Sequence, residues 1–268
     1  MRKPLLEALA TQLLCCDGAM GTQLMARGMT SGECGMLWNV NRPGDVKSVH
    51  DAYRSGGCDL ITTNSFGGSA SVLGDVGPFG DFLDPLGDMM PDDLRVIFKE
   101  QIEALLEGGA DAILVETMVD PAEAVVGVEA ARLVSATIPV VVTYAFQKPS
   151  PGVFKTIMGT TVTEAVTRAL DAGADIVGAN CGTGLDLDDY VELGRQLVAA
   201  AAGKPVILQP NAGAPRTVGD DTVYDASPEQ MADTARRLMA AGVRIIGGCC
   251  GTTPDHLKAM AAAVHGAS

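Results

Sequence analysis

The chain has 268 residues, a formal charge of −14, 47% hydrophobic residues and 19% charged residues. That size and composition are typical of one globular domain and exclude an intrinsically disordered chain, and the acidity disfavours nucleic acid as a partner. The sequence has no apolar run of the roughly 18 residues that span a bilayer, and its N-terminal segment is too polar for a signal peptide, so we expect a cytoplasmic protein with no membrane partner.

Short apolar segments alternate with longer amphipathic ones, and the apolar segments lack the period-two alternation of half-exposed strands. This pattern is typical of strands that are buried on both faces of a parallel sheet. We predict eight strands, at Leu13–Asp17, Asp59–Asn64, Val72–Gly77, Asp111–Glu116, Pro139–Tyr144, Asp175–Cys181, Pro205–Pro210 and Arg244–Cys249. We predict helices between them at Gly44–Ser55, Pro91–Glu107, Pro121–Ser135, Thr161–Ala172, Leu187–Ala202, Pro228–Ala241 and Pro254–Val264.

Eight strands in alternation with helices indicate an α/β fold, either a (β/α)8 barrel or a doubly wound sheet, in a single domain over residues 1–268. One step departs from the repeat. Only Ser65–Ser71 separates the second strand from the third, whereas a parallel crossover normally needs a dozen or more residues. We therefore expect the sheet to be irregular or incomplete between strands 2 and 3.

Three of the seven cysteines lie where predicted strands end, namely Cys181, Cys249 and Cys250. In barrels, the carboxyl ends of the strands carry the reactive residues. Three thiolates form a soft ligand set that suits zinc, and three protein ligands leave the fourth position open, as in catalytic zinc sites. We interpret the remaining cysteines as ordinary buried apolar residues: Cys15, Cys16, Cys34 and Cys58.

Acidic residues close two of the predicted strands, Asp17 at the first and Glu116 at the fourth. Either carboxylate can accept a hydrogen bond from an ammonium group, and either can instead cap a helix. The Gly-rich loop that contains Gly21 and Thr22 offers backbone amides to a carboxylate, although such a loop is weak evidence by itself.

Two asparagines follow predicted strands and are candidates for substrate contacts, Asn64 and Asn211. Asparagine is equally common in turns, which is the alternative for both. We expect His50, within a helix, and His256, at a helix start, to lie at the surface.

Five segments in register carry a resemblance to a known family: Asp17–Thr22, Thr63–Gly67, Gly178–Cys181, Gln209–Gly213 and Gly247–Pro254. Together they resemble the homocysteine S-methyltransferase family, and most of all the homocysteine-binding barrel of cobalamin-dependent methionine synthase. The resemblance runs from about Leu13 to the end of the chain. It implies a (β/α)8 TIM-type barrel, and the family usually has a helix and more sequence where this chain has its short step.

The resemblance implies zinc ligands at Cys181, Cys249 and Cys250 and favours Asp17, Glu116 and the amides of Gly21 and Thr22 as substrate contacts. The implied reaction transfers a methyl group to the thiol of homocysteine and gives methionine. A methylated corrinoid protein, methyltetrahydrofolate, S-methylmethionine and betaine are all donors known in the family. The sequence has no recognisable cobalamin-binding module, so a corrinoid would arrive on a separate partner protein.

Four other functions are alternatives to this reading. The enzyme could methylate a different thiol, or remove a methyl group from a catabolic donor. A non-catalytic barrel that stores or senses zinc would bind the metal without needing Asp17 or Glu116. A zinc-free, aldolase-like barrel would need a Schiff-base lysine at a strand end, and no predicted strand ends in one.

Overall fold

The computed structural model describes residues 4–30, 33–64, 71–219 and 221–266. Its strands are β1 Leu14–Cys15, β2 Leu60–Thr62, β3 Ser71–Val76, β4 Ala112–Met118, β5 Val140–Tyr144, β6 Gln147–Ser150, β7 Val153–Lys155, β8 Ile176–Asn180, β9 Val206–Gln209, β10 Arg216–Val218, β11 Asp221–Val223 and β12 Ile245–Ile246. Its helices are α1 Leu5–Leu9, α2 Gly21–Met25, α3 Trp38–Asn41, α4 Pro43–Ser55, α5 Pro91–Glu107, α6 Pro121–Val134, α7 Val162–Ala172, α8 Leu187–Ala200, α9 Pro228–Ala240 and α10 Pro254–His265, with a 3₁₀ turn at Gly35–Leu37.

Eight of the strands form one parallel sheet in the order β1-β12-β9-β8-β5-β4-β3-β2. The two edge strands meet through a parallel bridge between Cys16 and Leu60. The Asp17 amide donates to the Leu60 carbonyl at 3.0 Å, and the Asp59 amide donates to the Cys15 carbonyl at 2.8 Å. The sheet therefore closes on itself. The predicted TIM-type barrel is confirmed, and the doubly wound alternative is wrong.

All seven predicted helices are present, with ends within two residues of those predicted. Local capping explains this agreement. Helix α7 begins with a capping box, in which the Thr161 hydroxyl accepts from the Glu164 amide while the Glu164 carboxylate accepts from the Thr161 amide. It ends at Gly173, whose φ of 108° is left-handed and suits glycine. Within the described ranges, no helix combines the length and apolarity needed to cross a membrane.

Alternate residues of the strands fill the barrel interior, because successive side chains of a strand point to opposite faces. The interior cluster includes Leu73, Leu114, Ile176 and Ile207, and it also contains Leu5, Ala8 and Leu9 of α1. The opposite strand faces pack against the outer helices in a second, larger cluster. Because α1 covers the amino-terminal end of the interior, the carboxyl ends of the strands remain as the open end of the barrel.

The sequence did not predict two antiparallel hairpins, β6–β7 after β5 and β10–β11 after β9. Their strands are short and largely exposed, so they carry little hydrophobic pattern. The short step after β2 does not interrupt the sheet, because β2 ends at Thr62, β3 begins at Ser71, and the two strands pair in regular parallel register. The irregularity expected between strands 2 and 3 is therefore absent from the strand pairing. Residues 65–70 of that step lie outside the described ranges, including Ser65, Phe66 and Gly67 of the second family segment.

Three side-chain locations differ from those predicted. Cys34 is exposed and not buried. His50 is only 4% exposed, because it lies on the same face of α4 as the buried Val46 and Tyr53. His256 is 9% exposed, and its ring closes the start of α10: Nδ1 lies 3.1 Å from the Thr253 amide and Nε2 lies 2.8 Å from the Ala226 carbonyl.

Candidate metal and substrate site

The three predicted metal ligands meet at the open end of the barrel. Cys181 follows β8, and Cys249 and Cys250 follow β12, which is separated from β8 in the sheet only by β9. The three sulfur atoms lie within 4.8 Å of one another, with Cys250 Sγ 4.0 Å from both other sulfurs. A tetrahedral zinc ion with Zn–S bonds of about 2.3 Å separates its sulfur ligands by about 3.8 Å. The cluster therefore fits a zinc ion with small side-chain adjustments.

Hydrogen bonds among the three sulfur atoms also shift the pKa values of the three thiols. Hydrogen bonds from Cys249 and Cys250 lower the pKa of the Cys181 thiol, while the hydrogen bonds to Cys181 raise the pKa values of Cys249 and Cys250. The lowest pKa in the cluster thus belongs to Cys181, whose thiolate is stabilised by its neighbours. A thiolate with two further thiols beside it is the donor set that a soft divalent metal binds.

A strained backbone places Cys181. Its φ of 53° is left-handed, which is uncommon for a residue other than glycine. The buried Tyr190 hydroxyl of α8 donates to the Cys181 carbonyl at 2.6 Å. At Gly182, with φ 106°, an added Cβ would lie 2.6 Å from the Phe146 carbonyl oxygen. The turn is therefore fixed from both sides, by α8 and by the segment after β5.

Thr252 connects the loop of the other two cysteines to the loop after β1. Its hydroxyl donates to the Cys249 carbonyl at 2.7 Å and accepts from the Ala19 amide at 3.0 Å. The Tyr53 hydroxyl of α4 donates to the Ala19 carbonyl at 2.7 Å. Tyr53 and Thr252 are both fully buried, so the two loops are held as one unit.

A cavity of about 370 Å³ adjoins the sulfur cluster. Eight of the nine predicted site residues line it: Asp17, Gly21, Thr22, Asn64, Glu116, Cys181, Cys249 and Cys250. The ninth, Asn211, is buried beside the turn of Cys181, where its side-chain amide lies 3.4 Å from the Gly182 carbonyl oxygen. The structure thus brings together residues from five strand ends, as the parallel barrel requires.

Three carboxyl groups line the same cavity, from Asp17, Asp75 and Glu116. Burial raises the pKa of Asp17 to about 7 and that of Glu116 to about 7. Both oxygens of Asp17 accept from Thr62, at 3.0 Å from its amide and 2.9 Å from its hydroxyl, so this carboxyl also supports the seam between β1 and β2. None of the residues described around the cavity is Lys, Arg or His. A cation from outside would supply the missing charge partner.

Asn180 is a cavity residue that the sequence analysis did not select. Its Oδ1 accepts from the Thr117 amide at 3.0 Å and from the Thr143 hydroxyl at 2.8 Å. Its Nδ2 lies 3.5 Å from Glu116 Oε2 and 3.9 Å from Cys249 Sγ. Asn180 therefore lies between the carboxyl groups and the sulfur cluster. A buried polar residue that ends an apolar strand was the available signal, for Asn180 and likewise for Asp75 within β3.

The loop after β1 offers unused polar groups to the cavity. Gly21 and Thr22 begin α2, and the amides of a first helical turn have no partner within the helix. The Thr22 hydroxyl is buried and has no hydrogen-bond partner among the described residues. By contrast, the Asn64 amide donates to Asn39 Oδ1 at 2.8 Å, which is the structural role that the sequence left open for it.

Comparison with known proteins agrees with this architecture. The family model described as homocysteine S-methyltransferase matches residues 14–71 and 68–264. Methionine synthases of Mycobacterium leprae and Mycobacterium tuberculosis are 31% and 30% identical to the chain over 309 residues, which include 97% of this chain and 25% of each relative. The chain therefore spans about a quarter of the length of these relatives.

Solved structures of the homocysteine methyltransferase MmuM from Escherichia coli share the fold. The apo form has a TM-score of 0.74 at 23% identity, over 97% of this chain and 100% of that chain. The metallated form has a TM-score of 0.75 at 23% identity, over 97% and 99%.

The two segments matched by the family model meet at residues 68–71, which is the place of the short step between β2 and β3. The alignment with the M. leprae protein is also longer than this chain, so that relative has residues that this chain lacks. Apart from this step, the family match covers the barrel from β1 to α10. The chain belongs to the homocysteine S-methyltransferase family.

Proposed function

We propose that this chain transfers a methyl group to the sulfur of homocysteine, with methionine as the product, at a zinc ion held by Cys181, Cys249 and Cys250. The observation that carries the proposal is the group of three sulfur atoms, all within 4.8 Å of one another, beside a cavity that also contains carboxyl groups. Family membership supports the same reaction, as does the metallated form of the E. coli enzyme.

In this proposal, the three cysteines hold the metal and leave one position for a substrate thiol. Zinc in such a site lowers the pKa of a bound thiol, so that the sulfur is a thiolate at neutral pH. Tyr190 and Thr252 hold the carbonyl groups of Cys181 and Cys249, and so fix the directions from which these sulfurs approach. No protein base is then needed to take the thiol proton.

The other end of the amino acid would be held by carboxyl groups that face no described cation in the cavity and by polar groups of the loop after β1. Asp17 and Glu116 would accept hydrogen bonds from the ammonium group, whose positive charge stabilises both carboxylates. The amides of Gly21 and Thr22, with the Thr22 hydroxyl, would donate to the carboxylate. We assign Asn64 and Asn211 to the support of the surrounding loops, because their side chains lie against protein groups.

The methyl donor would be external to this barrel. The chain matches a quarter of two methionine synthases, which favours a methylated corrinoid or a folate presented by a separate protein or protein region. We also propose a cytoplasmic location, because the site depends on free thiols and these persist in reducing compartments.

The test uses reduced, zinc-loaded protein with homocysteine and one donor at a time: methylcobalamin, methyltetrahydrofolate, S-methylmethionine or betaine. Methionine is followed by mass spectrometry, and Cys249→Ser serves as the inactive control. We expect methionine from at least one donor and none from the variant. Zinc binding without methionine from any donor would favour a zinc-binding barrel, and methylation of other thiols alone would favour a different acceptor.

A further inference from the structure

Asp75 is a third carboxyl residue in the substrate cavity, and the function proposed above leaves it without a role. It lies in β3, between the strands that precede Asn64 and contain Glu116. Both main-chain polar groups of Asp75 have hydrogen-bond partners. The amide donates to the Thr63 hydroxyl at 2.9 Å, and the carbonyl accepts from Gln101 Nε2 at 3.4 Å. Its side chain lines the cavity.

The Asp75 carboxyl has an oxygen that accepts no hydrogen bond from the described part of the chain. The carboxyl group as a whole shares a hydrogen bond with the Glu116 carboxyl and interacts with the Val76 amide. Its Oδ1 is buried and has no hydrogen-bond partner among the described residues. A buried oxygen without a donor is destabilising, so a ligand that donates to it gains affinity.

The charge state of Asp75 suits an acceptor role. Burial is the main cause that raises the pKa of Asp75 well above its usual range. The charge of Glu116 and the hydrogen bond shared with Glu116 raise it further. A hydrogen bond between two carboxyl groups requires a proton on one of them, and the raised pKa of Asp75 favours Asp75 as the group that carries it. A protonated carboxyl retains an oxygen that accepts hydrogen bonds. The Asp75 carboxyl therefore keeps an acceptor oxygen whether or not the proton leaves.

We infer that Asp75 completes a three-carboxyl socket, with Asp17 and Glu116, that selects a primary ammonium group. A primary ammonium has three N–H donors, and the cavity presents three carboxyl groups and no described basic residue. One N–H goes to each carboxyl group, with Asp75 Oδ1 as the third acceptor. The inference rests on the proposed function, because the ammonium belongs to the thiol substrate.

The socket predicts that the number of N–H donors sets affinity. Three ligands test this. Homocysteine has three N–H donors on its ammonium group, and N-methylhomocysteine has two. 4-Mercaptobutyrate has the thiol and the carboxylate but no amino group. Calorimetry on zinc-loaded wild-type protein should show that N-methylhomocysteine binds roughly tenfold or more weakly than homocysteine, since a hydrogen bond with a charged partner is lost. Equal affinities in the wild-type protein would overturn the inference without any variant.

Two substitutions at Asp75 distinguish the effect of losing the acceptor oxygen from the effect of changing the side-chain shape. Asp75→Leu removes the acceptor at similar size and should weaken homocysteine binding by roughly tenfold to a hundredfold. Asp75→Asn keeps an oxygen in place and should recover most of that loss. Both variants should bind 4-mercaptobutyrate like the wild-type protein. The penalty of N-methylation should shrink in Asp75→Leu, because one N–H then has no partner to lose.

A buried carboxyl outside the cavity provides the matched control. Glu123 of α6 is 3% exposed and accepts from the Phe79 amide at 2.6 Å. Glu123→Gln should leave the affinities for all three ligands unchanged. Equal weakening of homocysteine and 4-mercaptobutyrate in Asp75→Leu would overturn the inference, as would no weakening of either. A wild-type protein that fails to bind homocysteine would instead contradict the proposed function.

Discussion

The hydrogen bond from Tyr190 to the Cys181 carbonyl should contribute to metal binding as well as to folding. Tyr190→Phe removes one hydroxyl and leaves that carbonyl without its 2.6 Å donor. Tyr144→Phe is a matched control, because Tyr144 is also fully buried and donates to a main-chain carbonyl, that of Ala165, at 3.1 Å. Each loss should reduce the free energy of unfolding by about 1–3 kcal/mol.

Metal affinity should separate the two variants. The left-handed conformation of Cys181, with φ 53°, costs on the order of 1–3 kcal/mol unless its surroundings hold it. If about 1–2 kcal/mol of strain is relieved when the Tyr190 bond is lost, the Kd for zinc rises by about 5-fold to 30-fold. The assay is competition with a chromophoric chelator on reduced protein, beside thermal unfolding of the metal-free forms. Equal zinc affinity in Tyr190→Phe and Tyr144→Phe, with both destabilised, would refute the reasoning.

Three other perturbations test the site. Cys181→Ser should lower bound zinc from about one per chain to a small fraction, as measured by metal analysis after gel filtration. Glu116→Gln should keep the zinc but reduce kcat/KM for homocysteine by roughly tenfold to a hundredfold, and should leave an amino-free thiol unaffected. Burial raises the pKa values of Asp17 and Glu116 to about 7, above those in the unfolded chain. These two carboxyl groups therefore hold more protons in the folded metal-free protein, so their contribution to stability should fall as pH rises from about 4 to 7 and then level off. In denaturant unfolding, the stability of the wild-type protein relative to Glu116→Gln should fall over that range, and a rise would contradict the assignment.

The barrel was predictable because local signals and tertiary structure agree. Capping residues fix the helix ends, as Thr161 and Gly173 do for α7, and continuous apolar runs mark strands buried on both faces. The parallel topology then places every strand end at one rim, which is why Cys181 and Cys249 could be matched although they are far apart in sequence. The hairpins after β5 and β9 could not be found in the same way, since they bury too little to leave a pattern.

The contents of the cavity were less predictable, because a polar residue within or at the end of an apolar strand is a weak signal that does not separate a cavity residue from a structural one. Asp75 was passed over as part of β3, although its carboxyl faces the cavity. Asn180 was read only as part of a family segment. His50 was misplaced for a different reason: the spacing of Val46, Val49 and Tyr53 marks a buried face of α4 that includes it, but histidine was treated as a surface residue.

The division of the ligands between β8 and β12 has a consequence for biogenesis. Cys249 and Cys250 follow the last strand of the barrel, and that strand must pair with β1, the first, before its loop takes up its place. The bond between Ala19 and Thr252 likewise joins residues near opposite ends of the chain. Before the final strand of the barrel has been synthesised, only Cys181 of the three proposed ligands is present. In the proposed site, metal capture would therefore be a late event in the folding of the barrel, and tight zinc binding would report that β1 and β12 have paired.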